Sequence, residues 1–97
     1  MNYKILILRR AQKELASIPE DAYRQIKDAI MALKGNPRPF GCKKLLGREG
    51  WRIRVGDYRV IYEIYDESHE ITILHIGIEE MFIVNIKWKL LSQSIKP

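Results

Sequence analysis

The sequence predicts an α+β fold: a small single domain of order βααβββ, with a helical hairpin packed on one face of an antiparallel sheet. Three observations carry this. A short Ile- and Leu-rich run opens the chain, two segments of helical period follow it, and the second half consists of β-branched runs joined by tight turns. At 97 residues the chain is about one small domain, too short for a multidomain enzyme or a doubly wound nucleotide-binding fold. With 46% hydrophobic and 30% charged residues it can bury a modest core, and it lies far from the composition of disordered chains.

Tyr3 to Leu8 is too short and too aperiodic for a helix and suits a buried first strand, ending at Arg9-Arg10. Ala11, Leu15 and Ile18 then recur at i, i+4, i+7. After Pro19 the set Ala22, Ile26, Ala29 or Ile30, and Leu33 repeats the helical spacing. Pro19 suits the start of the second helix, Glu20 and Asp21 complement its positive end, and Gly35 with Asn36-Pro37 stops it. Gly35 to Gly50 shows no period and gathers Gly, Pro, Arg38, Lys43, Lys44 and Arg48, which reads as a basic loop. Trp51 to Val55 alternates strictly, Gly56-Asp57 makes a two-residue turn, and Tyr58 to Tyr65 is dense in aromatic and β-branched residues. A turn at Asp66 to His69 leads into a last strand, Glu70 to Gly77.

Seventeen Lys and Arg against twelve Asp and Glu leave +5 at pH 7, which favours a polyanionic partner, nucleic acid first. Cys42 stands alone and the two histidines offer no ligand spacing, so no disulfide, metal site or cofactor is expected, and a reducing cytoplasm fits. No stretch reaches membrane-spanning length, and the apolar run before Arg9 is too short for an export signal, so no membrane partner is expected.

The hairpin register concentrates the chemistry. With Gly56 and Asp57 as the loop, Arg54 lies opposite Arg59 and Ile53 opposite Val60. Trp51, Ile53, Val55, Tyr58, Val60, Tyr62 and Ile64 then share the face that meets the helices, while Arg52, Arg54 and Arg59 share the other. Like charges directly across strands are destabilising by up to about 1 kcal/mol, so folding alone does not account for this arrangement. Two readings stay open: a guanidinium cluster that holds phosphate, extended along an RNA backbone by Arg38, Lys43, Lys44 and Arg48, or a solvated face partly neutralised by Glu63. Tyr65 lies on the arginine side with no assigned role. His75 reads as a strand residue rather than a base, His69 as a turn residue, and Cys42 as a small thiol without a partner in sequence.

The stretch Asn36-Pro37-Arg38-Pro39, Gly41 to Leu45 and Gly47 to Tyr62 closely resembles the RelE/ParE superfamily of type II toxin-antitoxin toxins, nearer the RelE branch. The resemblance covers Tyr3 to Gly77 and divides the chain into a toxin domain, residues 1–77, and a divergent tail, residues 78–97. It implies a metal-independent endoribonuclease that cuts messenger RNA in the ribosomal A site. It also implies a cognate RelB-like antitoxin that wraps and silences the toxin. In that family the ribose 2′-hydroxyl attacks the adjacent phosphate while basic sheet residues stabilise charge, which assigns Arg52, Arg54 and Arg59 as catalytic. The first two are often lysines in the family, and arginine binds phosphate well but exchanges protons poorly.

The resemblance fails after Gly77. The family continues with a segment like His-Arg-Arg-Asp-Val-Tyr-Arg; this chain reads Ile78-Glu79-Glu80-Met81-Phe82-Ile83-Val84. Written as ATA GAA GAG ATG TTT ATC GTA, those seven codons read His-Arg-Arg-Asp-Val-Tyr-Arg once a single C is placed in front. With codons so chosen, a one-nucleotide deletion near the Gly77 codon is the expected origin of the tail, and weak or absent RNA cleavage its expected consequence. As a folded segment, Glu79 to Leu91 suits a terminal helix whose Phe82, Ile86 and Leu90 form a stripe that packs or drives self-association.

Overall fold

The computed structural model describes residues 2–47 and 49–78. The chain runs β1 (Lys4–Ile7), α1 (Arg9–Ala16), α2 (Glu20–Ala32), β2 (Lys43–Lys44), β3 (Trp51–Val55), β4 (Tyr58–Tyr65) and β5 (Glu70–Ile78), the strands forming one sheet of order β1-β5-β4-β3-β2. The expected βααβββ order is present, with two differences. A two-residue strand inside the basic loop extends the sheet, and β1 joins β5 in parallel, so the sheet is mixed rather than wholly antiparallel. β1 and β5 are far apart in sequence, which short-range turn signals cannot register. The terminal helix and the tail contacts expected after Glu79 lie outside the described residues, as does Arg48.

Both helices bury one stripe. Ala11 of α1 and Ile26 and Ile30 of α2 are buried, with Leu33 just beyond, and they meet Ile53, Val60, Tyr62, Ile71, Ile73 and Ile76 of the sheet. Trp51, Val55, Tyr58 and Ile64 pack against this cluster, so the predicted apolar face of the hairpin is the helix-facing one. Gly56 takes φ +61° at the first position of the β3–β4 turn, a conformation an L side chain rarely adopts. Pro19 caps α2, and Glu20 and Asp21 occupy its first turn.

β5 carries a feature that alternation alone misses. Ile61 pairs with His75 but Tyr62 with Ile73, which leaves Leu74 as a bulge residue. Ile71 and Ile73 face the core before the bulge, and Ile76 faces it after. An unbroken alternation would have turned His75 and Gly77 into the core and Ile76 out of it.

The loops are tied at one corner of the molecule. Arg38 donates to both carboxylate oxygens of Asp66 (2.8 and 3.4 Å) and sits 5.2 Å above the Trp51 ring, while the Tyr3 hydroxyl donates to Asp66 at 2.7 Å. The Arg38 and then the Tyr3 hydrogen bonds hold the Asp66 carboxyl below its ordinary range. A depressed folded-state value means stability that is present at neutral pH and lost as pH falls below the ordinary carboxylate pKa of about 3.9. Asp66→Asn should lower the melting temperature at pH 7 and flatten its decline between pH 5 and pH 3. Thermal melts across that range check it; parallel declines would deny the corner its role.

Candidate functional site

The register of β3 and β4 is the one the sequence predicts, with Arg54 opposite Arg59, Arg52 opposite Ile61 and Ile53 opposite Val60. Arg52, Arg54 and Arg59 therefore lie on the sheet face away from the helix pair. β2 adds to it. Lys43 pairs with Arg52 and so shares their face, whereas Lys44 pairs with Trp51 and falls on the helix side. Two transverse rows result: Lys43, Arg52, Ile61 and His75 in one, and Arg54, Arg59 and Gly77 in the next.

The four basic residues differ in setting. Lys43 and Arg54 are exposed, Arg52 is half-buried, and Arg59 is only 7% exposed, with Ile61 beside it also buried. Arg54 Nε donates to the Gly56 carbonyl at 3.0 Å, which fixes the start of its guanidinium. A guanidinium keeps its charge wherever it sits, so Arg59 places a permanent cation within the protein surface. The reading of this face as uniformly solvated does not describe Arg59. Glu63 lies farther along β4, opposite Thr72, and accepts the Tyr65 hydroxyl at 2.6 Å. That contact pushes the Tyr65 phenol up.

Of the loop residues expected to extend the basic surface, the structure brings Lys43 to the arginines. Arg38 is engaged by Asp66 and Trp51 on the opposite side of the sheet. Tyr62, fully buried, donates its hydroxyl to the Pro37 carbonyl at 2.8 Å, and burial pushes its phenol well up. Tyr58, Tyr62 and Trp51 are thus packing residues rather than a base-stacking platform. Among the described residues no three His, Cys, Asp or Glu side chains are grouped to hold a metal ion.

Sequence reasoning missed one pairing, that of Glu14 on α1 with His75 on β5. Glu14 Oε2 lies 2.5 Å from His75 Nδ1, and Glu14 Oε1 accepts the Ile76 N–H at 2.9 Å. The available signal was the break of phase in Ile71-Thr72-Ile73-Leu74-His75-Ile76-Gly77-Ile78, which marks a bulge and puts His75 on the arginine side.

The clustering of like charges predicts a trade between stability and binding. Arg54→Thr removes the cross-strand repulsion with Arg59, so the fold should gain up to about 1 kcal/mol, or up to about 4–8 °C in melting temperature for a domain of this size. The same variant should bind RNA more weakly, with a shallower salt dependence. Melts and filter binding across a salt series check both signs.

A family model described as the ParE toxin of the type II toxin-antitoxin system parDE matches residues 5–81. The chain belongs to the RelE/ParE superfamily of type II toxins. Within this superfamily the protein named RelE1 of Methanocaldococcus jannaschii is 33% identical over 84 residues, 82% of this chain and 93% of that one. The archaeal RelE of the RelE-RelB complex from Pyrococcus horikoshii is 33% identical and superposes with a TM-score of 0.72, covering 80% of this chain and 96% of that one. E. coli toxin RelE, solved in the free state as a double arginine-to-alanine mutant, is 25% identical with a TM-score of 0.71, covering 84% of this chain and 87% of that one. The α+β architecture is therefore that of RelE-like toxins.

Proposed function

We propose that this superfamily member is a ribosome-dependent endoribonuclease that cleaves messenger RNA in the A site, with activity attenuated in this chain by its tail. The observation that carries the reading is the cluster of Lys43, Arg52, Arg54 and Arg59 on the sheet face that the helix pair leaves clear. Forked donors set across two rows suit a phosphodiester and the charge that develops on it during transfer. Arg52, Arg54 and Arg59 are the residues proposed to stabilise that charge, and Lys43 and Arg48 to contact RNA more widely. No metal is required for attack by the 2′-hydroxyl on its own neighbouring phosphate. The solved RelE-RelB complex of the 33% identical archaeal relative supports a RelB-like antitoxin as the regulatory partner. The site of action proposed is the cytoplasm, on the ribosome and its messenger RNA. Residues 1–77 are proposed as the toxin domain, and Ile78 onward as a tail that substitutes acidic for basic residues beside the site and adds a surface for self-association.

A second reading has an observation of its own. The matching family model carries the ParE description, which favours a gyrase poison. A third, an antitoxin- or ribosome-binding module without catalysis, is what complete loss of chemistry would leave. Induction followed by primer extension and ribosome profiling separates them. Cuts at A-site codons support the ribonuclease, DNA-damage signalling without cuts supports the gyrase poison, and neither supports the binding module.

A further inference from the structure

β1 pairs with β5 only from Glu70 to Ile73, so among the described residues no strand lies beside the outer edge of β5 beyond Ile73. α1 packs on β5, and Glu14 accepts the Ile76 N–H with one carboxylate oxygen and sets the other 2.5 Å from His75 Nδ1 as an ion-pair contact. A carboxylate against Nδ1 selects the tautomer with the proton on Nδ1, which leaves the lone pair of the neutral ring on Nε2. The Leu74 bulge sets His75 in the row of Ile61, Arg52 and Lys43, with Arg59 its diagonal neighbour across β4. The imidazole is 14% exposed and the carboxylate 24%, so the pair is shielded without being sealed. Arginine cannot serve as a base near neutral pH, and among the described residues His75 is the one imidazole within a strand.

We propose that His75 is the general base of this site and Glu14 the residue that positions it. This deepens the ribonuclease reading and rests on it. His75 Nε2 takes the proton of the ribose 2′-hydroxyl as O2′ bonds to phosphorus and the P–O5′ bond breaks. The products are a 2′,3′-cyclic phosphate and a 5′-hydroxyl. The departing O5′ gains a proton from water and the imidazolium returns one to water, so nothing is consumed. Glu14 stabilises the imidazolium, Arg59, Arg52 and Lys43 oppose it across the sheet, and Arg10, 3.6 Å from the Glu14 carboxylate, tempers the pair.

The test uses the full chain on programmed ribosomes, with primer extension and mapping of the product ends from pH 5.5 to 8.5. His75→Gln should lower the cleavage rate at least about a hundred-fold and abolish the acid limb of the profile. Glu14→Gln should lower the rate by about ten-fold and shift that limb, in line with the cost of losing a group that orients a histidine. Free imidazole should restore cleavage to His75→Ala, a rescue that a merely structural histidine would not give, with melting temperatures confirming that each variant is folded. Undiminished cleavage by His75→Gln, or loss without rescue in a folded His75→Ala, overturns the base while leaving the ribonuclease reading intact. No cleavage by the unmodified chain overturns His75 as the base, and the chain with residues 78–84 replaced by His-Arg-Arg-Asp-Val-Tyr-Arg then decides the ribonuclease reading separately.

Discussion

Replacing residues 78–84 with His-Arg-Arg-Asp-Val-Tyr-Arg should raise A-site cleavage by at least about a hundred-fold and turn a tolerated protein into one that arrests growth. The replaced segment begins at the site. Ile78 ends β5 opposite Tyr58, and Gly77 before it sits in the row of Arg59 and Arg54. The next two residues in sequence, Glu79 and Glu80, carry the charge opposite to the arginines of the family-like segment. The family-like segment puts two arginines there instead, and adds a tyrosine and a histidine as proton-transfer groups. Restoring an acid or base contributes about 10²–10⁴-fold, and a guanidinium placed on developing charge adds to it. The paired test is growth after induction and primer extension on the two chains side by side. Equal cleavage by both would show that the sheet residues suffice and that the tail is neutral. Sequencing the gene tests the origin separately, since one inserted base near the Gly77 codon must restore the motif if the tail arose by deletion.

The parts of this fold that were legible are those whose cause is local. The β3–β4 register follows from Gly56-Asp57 as a two-residue turn, and once it is set the apolar residues from Trp51 to Ile64, Ile61 excepted, point one way. The helical hairpin follows from the spacing of Ala11, Ile26, Ile30 and Leu33. What escaped depends on partners distant in sequence. The parallel pairing of β1 with β5 joins residues 66 positions apart, Lys4 with Glu70, and the two residues of β2 exist as a strand only because Arg52 and Trp51 lie beside them. Arg38 looked like part of a basic loop because nothing in its neighbourhood reveals Asp66, 28 positions on. The Glu14–His75 pair hid for the same reason, compounded by Leu74, whose apolar side chain blurs the phase break that marks the bulge.

Arg59→Ala should lower the cleavage rate of a cutting-competent chain by about 10²–10³-fold, the loss typical when one donor to a developing oxyanion is removed. Its setting singles it out from its neighbours. Arg54 and Lys43 are exposed and so act partly through a solvent that screens them, whereas Arg59 is 7% exposed and is screened less by solvent. It also lies in the middle of its row, opposite both Arg54 and Gly77 and diagonal to His75. Arg59→Lys keeps the charge and loses the planar fork, so it should retain most of the melting temperature while losing about ten-fold or more in rate, because a point charge cannot hold two phosphate oxygens at once. Single-turnover rates and melts on the same preparations separate the two roles. A lysine variant that cuts as fast as arginine would reduce Arg59 to a source of field, and one that unfolds would make it a structural cation instead. If Arg59→Lys is folded and slow while Arg54→Thr is stabilised and binds RNA weakly, then the two arginines of one cross-strand pair divide the work: the exposed one captures the backbone and the buried one stabilises the transferring phosphate.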